Sequence, residues 1–378
     1  MQAARQPVLR LCYAAMHVVM RPGYSGLGHR IARRGDPAVL VEHIDWVATM
    51  RLRTAMDARG IGIAEAMDTA QRFQIGWPAA RRLITECGAL RLDNGFCAGA
   101  GTDQLAAIGS RSDLVDATVE QCAFITANGG VPVILPMPWL CAHGAGENDY
   151  VEVYGAIVRQ VRGPVFVHWL GEMFLPALRG YFPGRSFDRV MALDPAVVRG
   201  CKLSLLDADL EVRVRADLLQ REQIVLTGDD FHFGRMIFGD GKAPARSTAI
   251  GARRVALGDF SHALLGIFDA IGAPVQQALR CLEVGDGAQF LAIMERCERL
   301  GQHVFAAPTQ HYKAGLAFLA WLNGLQPDFT LVNNEQLMRS REHYLRCAEL
   351  AREAGAVVDA PGFEQRLAAF AAQRWPND

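Results

Sequence analysis

The chain has 378 residues, a formal net charge of −1, about half its residues apolar and about a fifth charged. A near-neutral balance argues against a broad nucleic-acid-binding stripe, and the apolar share supports a large core in one large domain or two ordinary ones. The nine cysteines are scattered, with no C-x-x-C pair, which fits thiols in a reducing cytosol and predicts a cytoplasmic protein.

In chain order, residues 8–20 come first. They are apolar but too short to span a bilayer, and Arg10 and His17 interrupt them, so they read as a buried strand with no membrane association. Further strand-like runs fall near 61–66, 95–99, 131–136, 164–168, 197–202, 222–227 and 253–257, the first strand being 11–19. Helix-like stretches lie between them at 37–59, 76–88, 113–129, 148–162, 187–194, 206–219 and 233–239. Apolar strands alternating with amphipathic helices predict parallel strands buried on both faces. Eight such units predict an α/β fold of the (β/α)8 TIM-barrel type over residues 1–265. From about residue 260 helical periodicity takes over, at 260–284, 286–303, 308–324, 334–354 and 362–373. Gly285-Asp-Gly287 and Gln326-Pro-Asp328 punctuate it, which predicts a C-terminal helical extension over 266–378 packed on the barrel.

In such a barrel the chemistry sits at the C-terminal strand ends. The residues expected there are Glu65, Asp68 and Thr69; Gly99-Ala-Gly101-Thr102; Pro136-Met-Pro-Trp139; His168-Trp169; Lys202; Thr227-Gly-Asp229-Asp230-Phe-His232; and Gly258-Asp259-Phe-Ser261-His262. Gly101 and Thr102 suit either an anion contact or a tight turn. His168 suits a core position or a proton shuttle. Asp229 and Asp230 suit helix capping, substrate hydroxyls or a metal. Trp139 and Trp169 suit a pocket wall or plain packing.

Lys202 stands apart because the chain has three lysines and 36 arginines. Arginine stays protonated, whereas a desolvated lysine can lose its proton and attack a carbonyl. The plain alternative is a lysine whose stem snorkels to solvent.

Several of these segments resemble the dihydrodipicolinate synthase / N-acetylneuraminate lyase superfamily of class I aldolases, as a divergent branch. Cys97-Ala-Gly-Ala-Gly-Thr-Asp103 resembles its third-strand glycine motif, and Val133-Ile-Leu-Pro-Met-Pro138 its fourth-strand segment. Gly200-Cys-Lys-Leu-Ser204 resembles the motif that holds the Schiff-base lysine, and Leu226-Thr-Gly-Asp-Asp230 the seventh-strand Ser-Gly-Asp-Asp. The resemblance spans roughly 60–270. It implies a covalent Lys202 imine with no other cofactor and no metal, a small-molecule carbonyl substrate, and a homo-oligomer, dimer or tetramer.

Three departures qualify it. His168 replaces the family's fifth-strand Tyr, which keeps a proton-transfer group but changes its pKa and reach. Glu65-Ala-Met-Asp68-Thr69 replaces the carboxylate-binding Gly-Thr-Thr-Gly-Glu, and its acidic groups would repel a carboxylate. Met137 and Pro138 replace the fourth-strand Tyr pair, so dihydrodipicolinate synthesis itself is not expected. The expected activity is a class I lyase, aldolase or dehydratase, on a 2-keto acid or sugar-acid-like carbonyl compound. Lys202 and His168 are the expected catalytic pair, with Gly101, Thr102, Asp68, Thr69, Asp229, Asp230 and His232 on the substrate. A divalent-metal-dependent sugar isomerase or hydrolase using Glu65, Asp68, His168, Asp230 and His232 is the alternative, and a non-catalytic keto acid or sugar binder the third.

Overall fold

The structure is a computed structural model and describes residues 7–67 and 71–376. Its strands are β1 (Cys12–Ala15), β2 (Gly62–Glu65), β3 (Phe96–Ala100), β4 (Val131–Ile134), β5 (Val165–Leu170), β6 (Val198–Ser204), β7 (Ile224–Thr227), β8 (Arg246–Ile250), β9 (Arg253–Leu257) and β10 (His262–Leu265). Eight of these described strands close into a parallel barrel in the order β1-β10-β7-β6-β5-β4-β3-β2. This is the expected (β/α)8 architecture, followed by C-terminal helices. The closing strand differs from expectation. Residues 253–257 pair antiparallel with 246–250 as a separate hairpin, and the barrel closes with His262–Leu265. His262 therefore begins the eighth barrel strand and does not follow it.

By packing the chain forms two compact units, one of residues up to Tyr13 with Gly95–Leu264, the other of Ala14–Asn94 with Leu265 onward. In the first unit the helices start where sequence supplies caps. Ser110 and Asp113 form a capping box at Arg111–Ala127, and the Asp207 side chain accepts from the Leu210 amide at the start of Ala208–Leu219. These helices cover strands that are buried along their length, as parallel strands must be.

In the second unit Asp45 caps Trp46–Asp57 and divides the helix expected over 37–59. Asp286, Ser340 and Asp359 likewise cap Gly287–Val304, Arg341–Glu353 and Ala360–Ala372. The helix Lys313–Leu322 is buried on all sides, which explains why its sequence shows little amphipathic pattern. Phe318 meets Phe329, Tyr344 and Phe370 with ring centroids 4.7–5.1 Å apart, and Trp375 completes that aromatic core. No described helix is long and apolar enough to cross a membrane.

Candidate active site

The direction of each side chain on β5, β6 and β7 follows from register. Thr227 of β7 donates its hydroxyl to Glu211 Oε2 (2.9 Å) on the covering helix Ala208–Leu219, so it faces outward. Its register partner Leu203 faces the same way, and Lys202 and Leu226 face the barrel interior. Across β5, Trp169 pairs with Leu203 and packs outward on Phe187 (centroids 4.6 Å apart), which turns His168 inward beside Lys202. Ser204 shares that inward face, and its Oγ lies 3.1 Å from His168 Nε2. Lys202 is 3 % exposed and His168 and Ser204 are buried.

Gly228 makes room for the lysine. A Cβ added there would stand 3.0 Å from Lys202 Cε and 2.7 Å from the Leu203 carbonyl oxygen, and would overlap Ser204 Oγ. The Gly228 amide also donates to the Leu203 carbonyl (2.7 Å), which carries the pairing of β6 and β7 past the end of β7. The glycine of Thr227-Gly-Asp-Asp230 thus has a steric reason.

The other expected site residues fall as follows. Asp229 is buried, and its Oδ1 accepts from the Phe231 and His232 amides (2.9 and 3.2 Å). Its Oδ2 meets His232 Nδ1 at 2.8 Å, so this carboxylate organises the turn before helix Phe233–Phe238. His232 is half exposed and Asp230 is buried. The Gly101 amide donates to Gln121 Oε1 (2.7 Å), and Gln121 also donates to Asp103 (3.0 Å). The loop carrying Thr102 is thereby pinned to helix Arg111–Ala127, with the Gly101 amide already satisfied. Trp139 stacks on His143 (3.8 Å between centroids) and donates to the Ile108 carbonyl. Both tryptophans thus make packing contacts and are partly buried. Asp68 and Thr69 lie outside the described residues.

Glu211, behind the same strands, accepts hydroxyl bonds from Thr227 and Ser261 (2.7 Å). Burial pushes its carboxyl up to about 7, against the lowering effect of those bonds. Burial also lowers His262 to about 3.

The second unit carries its own polar cluster at the ends of β1 and β2. Glu65 accepts both arms of the buried Arg53 guanidinium (Nε–Oε2 2.7 Å, Nη2–Oε1 2.8 Å). The repulsion expected of Glu65 is offset by this countercharge, and each carboxylate oxygen accepts one arm of the guanidinium. Lys313 is buried, bonds the Ala15 carbonyl, and lies 3.5 Å from Asp269 Oδ2. The same oxygen accepts from His17 Nδ1 (2.7 Å) and the His17 amide (3.1 Å). Burial alone would raise the Asp269 carboxyl, but His17 and Lys313 hold it at about 2.

A model of the family described as "Protein of unknown function (DUF993)" matches residues 1–373. The chain belongs to that family. A search of the curated proteins finds no match to this DUF993 member. Solved structures resemble it in fold. N-acetylneuraminate lyase from Fusobacterium nucleatum complexed with pyruvate superposes with a TM-score of 0.59 at 15% identity, over 91% of this chain and 97% of that one. A dihydrodipicolinate synthase gives 0.59 at 13% identity, over 92% and 100%. The protein called CdNal from Clostridium difficile, in complex with mannosamine, gives 0.56 at 13% identity, over 91% and 99%. The superfamily resemblance read from the strand-end motifs therefore holds for the fold.

Sequence reading missed Lys313, Arg53 and Glu211 in this DUF993 chain. Lys313 carried the same signal as Lys202, its rarity, but sits in an apolar helix and not at a strand end. Arg53 precedes Glu65 by a helix and a strand, and nothing in the sequence pairs them.

Proposed function

We propose that this DUF993 member is a Schiff-base-forming class I lyase, an aldolase or dehydratase acting on a 2-keto acid or sugar-acid-like carbonyl compound. The observation that carries this reading is the inward pair Lys202 and His168 on adjacent strands, with Gly228 clearing the lysine stem. The lyase fold and the pyruvate-bound relative support the substrate class.

In this reading the Lys202 amine adds to the substrate carbonyl carbon, and the carbinolamine loses water to give a protonated imine. The imine accepts the electron pair released as a neighbouring C–C bond breaks, giving an enamine. His168 takes the proton from the hydroxyl on the departing carbon and returns it to the enamine carbon, and water then hydrolyses the imine. In the dehydratase variant His168 takes the proton on the carbon next to the imine, and the enamine so formed expels the β-hydroxyl, which leaves as water with that proton. No cofactor beyond the Lys202 imine is required. Ser204 fixes the His168 ring, Asp230 and Thr102 address substrate oxygens, and Asp229 holds the turn that carries Asp230 and His232. Gly101 acts through the loop geometry, and Asp68 and Thr69 would contact the substrate. The working form is a homo-oligomer.

Borohydride reduction with a panel of 2-keto acids, sugar acids and simple aldehydes tests this. A substrate-dependent mass adduct on Lys202, absent in Lys202→Arg, is the expected result. His168→Phe should still form the adduct while turnover falls about 10²–10⁴-fold. Full turnover in Lys202→Arg, or turnover with no lysine adduct, would overturn the proposal and favour the metal-dependent alternative. An adduct without turnover of any compound would leave a binder.

A further inference from the structure

The C-terminal helices hold a cluster that the barrel chemistry does not use. His343 and Cys347 lie four residues apart on helix Arg341–Glu353, so both project from one face. His303 reaches them from the last turn of helix Gly287–Val304, its ring stacked on that of His343 with centroids 4.5 Å apart. One ring nitrogen from each histidine and Cys347 Sγ all lie within 4.8 Å of one another.

Three features give this cluster the character of a ligand set. His303 Nε2 lies 3.0 Å from the His343 carbonyl, which accepts only. Nε2 therefore carries the hydrogen, and Nδ1 is left with its lone pair. Metal-bound histidines are commonly fixed this way, by donating the other ring nitrogen to a backbone carbonyl. His343 Nε2 is buried with no hydrogen-bond partner, an arrangement that is costly unless something satisfies it. The cluster also sits at the C-terminal end of Gly287–Val304, where the helix dipole favours a cation. Opposing it are the dipole of Arg341–Glu353, whose first turn holds His343, and the charges of Arg346 and Arg339. The Arg339 guanidinium is engaged by the carbonyls of Val304, Ala306, Ala307 and Pro308.

We infer that His303, His343 and Cys347 form a zinc site, with the fourth position open to water. Two imidazoles and a thiol are the borderline-soft donors that Zn²⁺ prefers. Tetrahedral zinc needs donor edges of about 3.5 Å, so the His343 side chain turns to bring the donors together while His303 keeps its bond to the His343 carbonyl. On binding, the Cys347 thiol gives its proton to solvent and the thiolate takes the metal, so each zinc bound releases one proton. The site joins two tail helices and stiffens their packing.

Cobalt is the probe, because Co²⁺ bound to a thiolate gives a charge-transfer band in the near ultraviolet. The full chain, freed of metal by chelator and desalted, is titrated with Co²⁺ and then with Zn²⁺. One equivalent should bind with that band, Zn²⁺ should bleach it, and Zn²⁺ should raise the melting temperature. Cys347→Ser should abolish the band, and His343→Gln should weaken binding at least about tenfold. No band in the wild-type chain overturns the site. So does Co²⁺ uptake of equal affinity in Cys347→Ser and His343→Gln, which would be adventitious surface binding. If Cys347→Ser does not fold, an unchanged affinity in folded His343→Gln is sufficient to overturn it.

Discussion

Two polar clusters, one in each unit, hold buried charge differently. In the first cluster burial dominates. It pushes Glu211 up to about 7, lowers His262 to about 3 and brings Arg10 down to about 10. Around Lys313, pairing dominates. Arg53 grips Glu65 with two hydrogen bonds, and Asp269 stays ionised between His17 and Lys313. A desolvating environment that favours neutral forms is what an amine nucleophile needs, whereas an ion pair locks an amine in its protonated form. Lys313, held against Asp269, is the clamp of its cluster, and Lys202 is the proposed nucleophile.

Exchanging each lysine for methionine tests that division most strongly. Lys202→Met should lose all imine trapping and leave stability unchanged or raised, as at many functional positions. Lys313→Met and Asp269→Asn should each lose about 3–5 kcal/mol in denaturant unfolding, because each strands a buried charge. The double variant should recover part of that loss. Equal destabilisation by Lys202→Met and Lys313→Met would break the comparison.

Glu211 sharpens the burial side. Its carboxyl titrates at about 7 in the folded chain against an ordinary value of 4.5. Between these values the folded state holds the proton and the unfolded state does not. Stability is therefore fully present below pH 4.5 and falls as pH rises through 7, by roughly 3 kcal/mol in all. Glu211→Gln should flatten that slope in melts taken from pH 4.5 to 8. A slope unchanged by the substitution would place the pH dependence elsewhere.

The smallest expected effect is at Gly228. Gly228→Ala should cost about 1–3 kcal/mol by overpacking and slow adduct formation at Lys202 more than it changes substrate affinity. Trapping at the wild-type rate would mean the lysine stem does not need that space.

The barrel and its lysine were legible because both leave local marks. Parallel strands buried on both faces read as apolar runs, and Gly200-Cys-Lys-Leu-Ser204 is a contiguous motif on one strand. The closing strand was not legible. Arg253–Leu257 is as apolar as a barrel strand but pairs with Arg246–Ile250, whereas His262–Leu265 runs with little break into helix Phe268–Glu283 and shares its apolar texture. Ladder partners decide between the two runs, and partners are not written locally. The same holds for the site's electrostatics. Glu65 read as a repulsive acid because Arg53, which neutralises it, lies on a preceding helix. Asp229 and Asp230 read alike as neighbours, yet Asp229 proves to accept from the backbone amides of Phe231 and His232 and so shapes the turn.

The enclosure of two of the three lysines has a practical consequence. Lys202 and Lys313 are shut in, while Lys242 stands 82% exposed beside Asp240. The folded chain therefore offers acylating reagents one open side-chain amine. A dye or surface tether attached there would be placed at one defined side chain, away from the buried Lys202, without an introduced cysteine among the nine already present.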